Sequence, residues 1–309
     1  MHSADGLRLA PRALQWPLVA DDRHARRATN PKHIENYLPM SATKILLAIL
    51  GCLLTSGLSF AQHAGPLVMA HRGGSHEFEE NTMDAFRHCY EQGIRGFETD
   101  VRMTKDGSLV ILHDDSLDRT YHSSGAVEDK LAAELKDLVS KRGQKFLFLE
   151  ELLDYLADKP GFYLELEMKT SNKKLYPDER IGEYCRALHA AAEAKRPQKS
   201  IYAYTSFDDR PLKEIRRIDA DAPTLLIEGN PLSPKLIERA KSLDVDYIGC
   251  QLSGTSRTMV KEAQKQGFKV NCWPGHTIED YFLCRGLGVN VHCTDKPLAV
   301  LKVKEKLQD

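Results

Sequence analysis

From Pro66 onward, short apolar runs alternate with stretches whose apolar residues recur at helical spacing. The apolar runs fall at residues 67–71, 96–101, 109–113, 162–169, 201–205, 224–227, 247–251, 269–273 and 289–293, and each reads as a strand. Helical spacing is clear at 83–91, 149–156, 181–194, 234–241 and 258–266. Such alternation predicts βα units around a parallel sheet. Nine strands are one too many for a closed (β/α)8 barrel, and the surplus strand is identified by its spacing. Only Arg102 to Ser108 separate the second run from the third, and Lys105-Asp106-Gly107-Ser108 is a turn. Parallel neighbours need a crossover of about a dozen residues. The 109–113 segment therefore returns as a hairpin arm, and eight parallel strands remain: a (β/α)8 TIM barrel. The 114–146 stretch is polar, carries Ser123-Ser124-Gly125, and reads together with the hairpin as an insertion over the second βα loop. Loops on that face build the active sites of such barrels.

Upstream of the barrel the pattern changes. Residues 1–39 are mixed and polar, with four prolines and no periodicity. Lys44 then precedes an apolar run at 45–54, and a polar stretch ends in Ser59-Phe60-Ala61-Gln62. A short positive region, an apolar core and a small-x-small ending describe a signal peptide at 40–61. The run is shorter than the ~20 apolar residues that span a bilayer. An export signal stands at a chain start, so Met40 is the expected native start and 1–39 a non-native upstream extension. Residues 62–309 are then the exported domain, periplasmic or secreted, with no stable membrane span. An uncleaved signal anchor and a buried core helix are the competing readings of 40–61. A lipoprotein cut at Cys52 ranks below them, because the apolar run continues past it.

Composition narrows the function classes. In 309 residues, hydrophobic positions make up 42%, charged positions 28%, and the formal net charge is −1. That excludes a disordered chain and gives no electrostatic footprint for nucleic acid. Seven cysteines leave six beyond Cys52. An even number in an exported chain permits disulfides, and small apolar core residues are an equal reading. No Cys/His spacing suggests zinc.

The chemistry gathers at strand ends. The first strand ends His71-Arg72-Gly73-Gly74, the second carries Glu98-Thr99-Asp100, the hairpin arm ends His113-Asp114, and the next barrel strand holds Glu165-Leu166-Glu167-Met168-Lys169. Residues two apart face one side of a strand, so Glu98 joins Asp100, and Glu167 joins Lys169. Charges directed into a barrel must be paired or bound to a cation. Glu98, Asp100 and Glu167 make a hard oxygen set suited to one divalent ion, Ca2+ or Mg2+. His71 and His113 are candidate general acid and base, and Arg72 and Lys169 can hold an anionic oxygen. Glu165 lies one step deeper and is expected to pair with Lys169. Trp273 is open between pocket wall and core. Asn81 and Thr82 can act as helix caps. His88, His122, His189, His276 and His292, with no carboxylate pattern near them in sequence, read as surface or core residues.

With His71-Arg72-Gly73, Glu80-Asn81-Thr82, Glu98-x-Asp100, His113-Asp114, Asp118-Arg119-Thr120, Glu167-x-Lys169, Trp273 and Thr294-Asp295-Lys296-Pro297 in this order, residues 67–300 resemble the glycerophosphodiester phosphodiesterases. The resemblance implies metal-dependent hydrolysis of a glycerophosphodiester to glycerol 3-phosphate and an alcohol. It implies metal ligation by Glu98, Asp100 and Glu167, acid–base work by His71 and His113, and phosphate binding by Arg72 and Lys169. It also implies support of the first loop by Asn81 and a pocket wall at Trp273, with a small-molecule phosphodiester as substrate. The family's route has a glycerol hydroxyl attack phosphorus, giving a cyclic intermediate that water opens. Two positions depart from the pattern: Glu79 replaces a proline, and Pro274-Gly275-His276 replaces Thr-Val-Asn after the tryptophan. The alternatives are a lysophospholipase D or sphingolipid phosphodiesterase on the same fold, and a catalytically silent barrel that binds an anionic ligand.

Overall fold

The computed structural model describes residues 65–307, so the readings of residues 1–61 lie outside the described residues. Nine strands form one sheet: β1 (Leu67–Ala70), β2 (Gly96–Met103), β3 (Leu109–Ile111), β4 (Tyr163–Met168), β5 (Ile201–Ser206), β6 (Thr224–Pro231), β7 (Tyr247–Gln251), β8 (Lys269–Gly275) and β9 (Val291–Thr294). All neighbours pair in parallel except β3, which runs antiparallel to β2 with Val101 opposite Ile111. Strand β1 pairs with both β9 and β2, and this closes the eight-stranded barrel. Gly96 makes that closure possible, because a Cβ there would stand 2.9 Å from the Val68 carbonyl oxygen.

The helices are α1 (Met83–Glu91), α2 (Ala132–Leu135), α3 (Leu149–Leu156), α4 (Asp178–Lys195), α5 (Asp209–Ile218), α6 (Pro234–Ser242), α7 (Arg257–Lys265), α8 (Ile278–Leu287) and α9 (Pro297–Lys306). Their starts follow local chemistry. Thr82, Asp208, Ser233, Ser256 and Thr277 each accept a backbone N–H of the first turn. Apolar residues on the outer side of the strands, such as Leu164, Leu226 and Ile248, pack under the helices in one continuous core. Inside the barrel, Met69, Tyr163, Ala203, Leu225, Tyr247 and Val291 fill the base. They form the floor on which the polar mouth stands.

The insertion departs from its polar reading. Leu112, Leu117, Tyr121, Val127, Leu135 and Phe146 form a core of their own beneath it. Arg102 pins it in place: this buried guanidinium bonds Glu128 at 2.9 Å, Asp115 at 2.6 Å, and the carbonyls of Leu112 and His113. The loop that presents His113 is thereby tied to the barrel rim. All six cysteines of the described residues are buried free thiols, in keeping with the core reading. No described helix is long and apolar enough to cross a membrane.

Candidate active site

The mouth of the barrel brings the predicted residues together. Register sets Asp100 level with Glu167 and Glu98 level with Glu165 on the neighbouring strand. One carboxylate oxygen from each of Glu98, Asp100 and Glu167 lies within 4.8 Å of the others, and all three residues are buried. Among the described residues, Glu98 Oε1 and Asp100 Oδ1 are buried without a hydrogen-bond partner, the latter with only the Lys169 ammonium at 3.4 Å. Buried carboxylate oxygens are costly when left unmatched, and a hard divalent cation is the partner such a set fits. Burial, with repulsion from Asp100 and Glu167, pushes the Glu98 carboxyl well above its usual range. Burial also disfavours ionisation of Asp100, but the charges of Lys169, Arg72 and His113 and a hydrogen bond from Asn81 outweigh it and hold its pKa low. A bound cation would relieve the repulsion among these carboxylates.

Arg72 sits in the tight turn after β1 with φ 52, and Gly73 and Gly74 follow with positive φ. A Cβ on Gly73 would meet that of Ala85 at 2.9 Å, so the turn packs against α1 only with glycine. The Arg72 backbone N–H donates to Glu98 Oε2 at 2.9 Å, while its side chain lies 3.6 Å from Asp100 and 3.3 Å from Glu80. Lys169 Nζ is 2.7 Å from Glu167 and 3.4 Å from Asp100. Burial works against its charge, yet Glu167 and Asp100 hold its pKa above the ordinary value. Both cations border the same pocket as His71, His113 and Trp273.

Each histidine is backed by a carboxylate. His71 Nδ1 is 2.6 Å from Asp295 Oδ1, and its Nε2 is 3.9 Å from Glu98. His113 Nδ1 is 2.6 Å from Asp114 Oδ1. Burial opposes ionisation of both aspartates, and hydrogen bonds overrule it: from His71, Ser75 and His276 on Asp295, and from Arg119 and His113 on Asp114. An ionised carboxylate only accepts, so each Nδ1 carries a proton and each Nε2 is left to exchange one. Arg119 continues the second chain to Glu80 at 2.6 and 2.8 Å, joining the insertion to the loop that carries Arg72.

Several readings change. Glu165 does not pair with Lys169: it accepts from Tyr163 Oη at 2.8 Å and from Asn271, at the barrel floor, and burial foremost raises its pKa to about 8. Asn81 is no cap. Thr82 caps α1, while Asn81, at φ 57, donates to Asp100 Oδ2 at 2.8 Å and positions that carboxylate. Trp273 resolves as pocket wall, meeting Phe207 edge-on at 5.6 Å. His276 is an exposed residue, as read, and its Nδ1 lies 2.5 Å from Asp295 Oδ2. His189 too has a carboxylate, Asp219, at 3.2 Å. Sequence reasoning missed Asp295, Phe207 and Arg102 as contributors. The closing Thr-Asp-x-Pro motif was the available signal for Asp295.

A model described as the glycerophosphoryl diester phosphodiesterase family matches residues 71–299, and the chain belongs to this family of phosphodiester hydrolases. A glycerophosphodiester phosphodiesterase of Caldanaerobacter subterraneus is 32% identical over 256 residues, covering 78% of this chain and 98% of the relative. Among solved structures, an Oleispira antarctica phosphodiesterase in complex with the product sn-glycerol-3-phosphate superposes with a TM-score of 0.71 at 23% identity, over 79% of this chain and 99% of that one. A glycerophosphodiester phosphodiesterase of Parabacteroides distasonis gives 0.67 at 22% identity, over 80% and 99%. These two likenesses establish the shared barrel fold.

Proposed function

We propose that the chain hydrolyses glycerophosphodiesters to glycerol 3-phosphate and an alcohol, using one divalent cation, Ca2+ or Mg2+, and two histidines. The observation that carries this reading is the meeting of three buried carboxylates, of which Glu98 and Glu167 line the pocket, with two cationic side chains and two carboxylate-backed histidines at the same barrel mouth. Glu98, Asp100 and Glu167 would hold the cation, which when bound supplies Lewis-acid stabilisation of charge on the phosphoryl oxygens. Arg72 and Lys169 orient the phosphodiester and offset its negative charge. One histidine takes the proton of the attacking hydroxyl through Nε2, and the other gives a proton to the leaving alkoxide. Asp295 and Asp114 hold the rings in the tautomer that this exchange requires. A silent barrel would be expected to lack a histidine or a carboxylate of this set, and all are present. Replacing His113 by alanine is expected to lower turnover of glycerophosphocholine by about 10²–10⁴-fold while leaving cation binding intact. Unchanged turnover would show that His113 takes no part in the reaction.

The export signal read at residues 40–61 supports placing the reaction outside the cytoplasm. The native protein is expected to begin at Gln62 when its N-terminus is sequenced. A mature end within residues 1–39 would remove that placement.

A further inference from the structure

We propose that His76, His276 and Asp295 form a second cation site, separate from the three-carboxylate cluster, that takes zinc. The three residues come from different places: the turn after β1, the loop between β8 and α8, and the end of β9. His276 Nδ1 is 2.5 Å and His76 Nε2 3.6 Å from the same oxygen, Asp295 Oδ2. The two imidazoles stack with centroids 5.3 Å apart and planes 19° apart. One ligand atom from each residue lies within 4.8 Å of the others. Around a tetrahedral zinc with bonds of about 2.0–2.1 Å, ligand atoms stand roughly 3.3 Å apart, so small side-chain rotations complete the site.

Both backbones are held by hydrogen bonds. The His76 N–H donates to the Asp295 carbonyl at 3.0 Å, and the His276 N–H donates to Asp280 at 2.8 Å. The His76 and His276 side chains are 46% and 52% exposed, which leaves an entry path and room for a water ligand, whereas the Asp295 side chain is 4% exposed. Two imidazoles and one carboxylate suit zinc, in contrast to the all-oxygen set of Glu98, Asp100 and Glu167.

The site shares a carboxylate with the reaction centre. Asp295 Oδ1 accepts from His71 at 2.6 Å and from Ser75 at 2.5 Å. A cation on Oδ2 draws charge from that carboxylate and weakens its hold on His71. Occupancy therefore slows turnover, a consequence that rests on His71 acting as proposed above.

The test is equilibrium dialysis of the chelator-stripped full chain against zinc, compared with the His76→Ala/His276→Ala double variant. The wild type is expected to bind one zinc equivalent more than the variant, and equal stoichiometry overturns the proposal. A zinc-edge X-ray absorption spectrum of wild-type protein in excess calcium makes the same test without a variant. Imidazole nitrogen in the shell supports the site, and an all-oxygen shell overturns it. Both measurements read binding alone, so they stand even if the hydrolytic reading fails.

Discussion

The two halves of the barrel mouth are built on the same kind of strand and loop but filled differently. On β2 and β4 inward positions hold Glu98, Asp100 and Glu167, with Arg72, just after β1, and Lys169 at the rim. On β6 to β9 the corresponding wall holds Leu225, Ile227, Trp273 and Cys293. A barrel interior is ordinarily packed with branched apolar side chains, so the second half is what fold stability alone would select. The first half carries charges whose burial is compensated by each other and by hydrogen bonds such as those from Asn81 and the Arg72 backbone. The chemistry is therefore concentrated on one arc, and the opposite arc shapes the pocket.

That contrast can be broken by removing support from the charged arc. Asn81 donates to Asp100 from a left-handed backbone position that glycine also tolerates. Asn81→Gly is expected to weaken Ca2+ or Mg2+ binding by about 10–100-fold, measured calorimetrically, with turnover recovering at high cation concentration. Cys250→Ala, in the outer core between β7 and the helices, is the control and should leave cation affinity unchanged.

The same contrast sharpens under acid, with an effect on stability rather than on the reaction centre. His292 is fully buried behind β9, and burial lowers its pKa from 6.5 to about 4. A histidine whose folded pKa is depressed contributes stability above about pH 6.5, and loses it as pH falls toward 4. The loss is of order 3 kcal/mol by linkage. Urea unfolding at pH 7 and pH 4 should show a flatter pH dependence in His292→Asn than in the wild type. Equal slopes would show that His292 does not carry the effect.

What the sequence revealed follows from the same division. Charged residues two apart on successive strands stand out against an apolar background, so Glu98, Asp100, Glu167 and Lys169 are legible from the strand pattern alone. The barrel is legible too, since each strand run and the turn at 105–108 report on local chemistry, and α1 and α3 match their expected bounds. Contacts across the closed barrel are not. Asp295 reaches His71 over a separation of 224 residues, and no local pattern encodes that. Phe207 and Trp273 are ambiguous in sequence because aromatic residues line pockets and fill cores alike. The core of the insertion is hidden because Leu117, Tyr121, Val127, Leu135 and Phe146 recur with neither strand nor helix period.

The central claim is that the carboxylate arc holds a cation that hydrolysis requires. Its most direct test is glycerol 3-phosphate release from glycerophosphocholine, first with EDTA and then with calcium or magnesium restored. Release that EDTA abolishes and one of these ions recovers is the expected result. Release that persists in EDTA, or none with either ion across a panel of head groups, would contradict it.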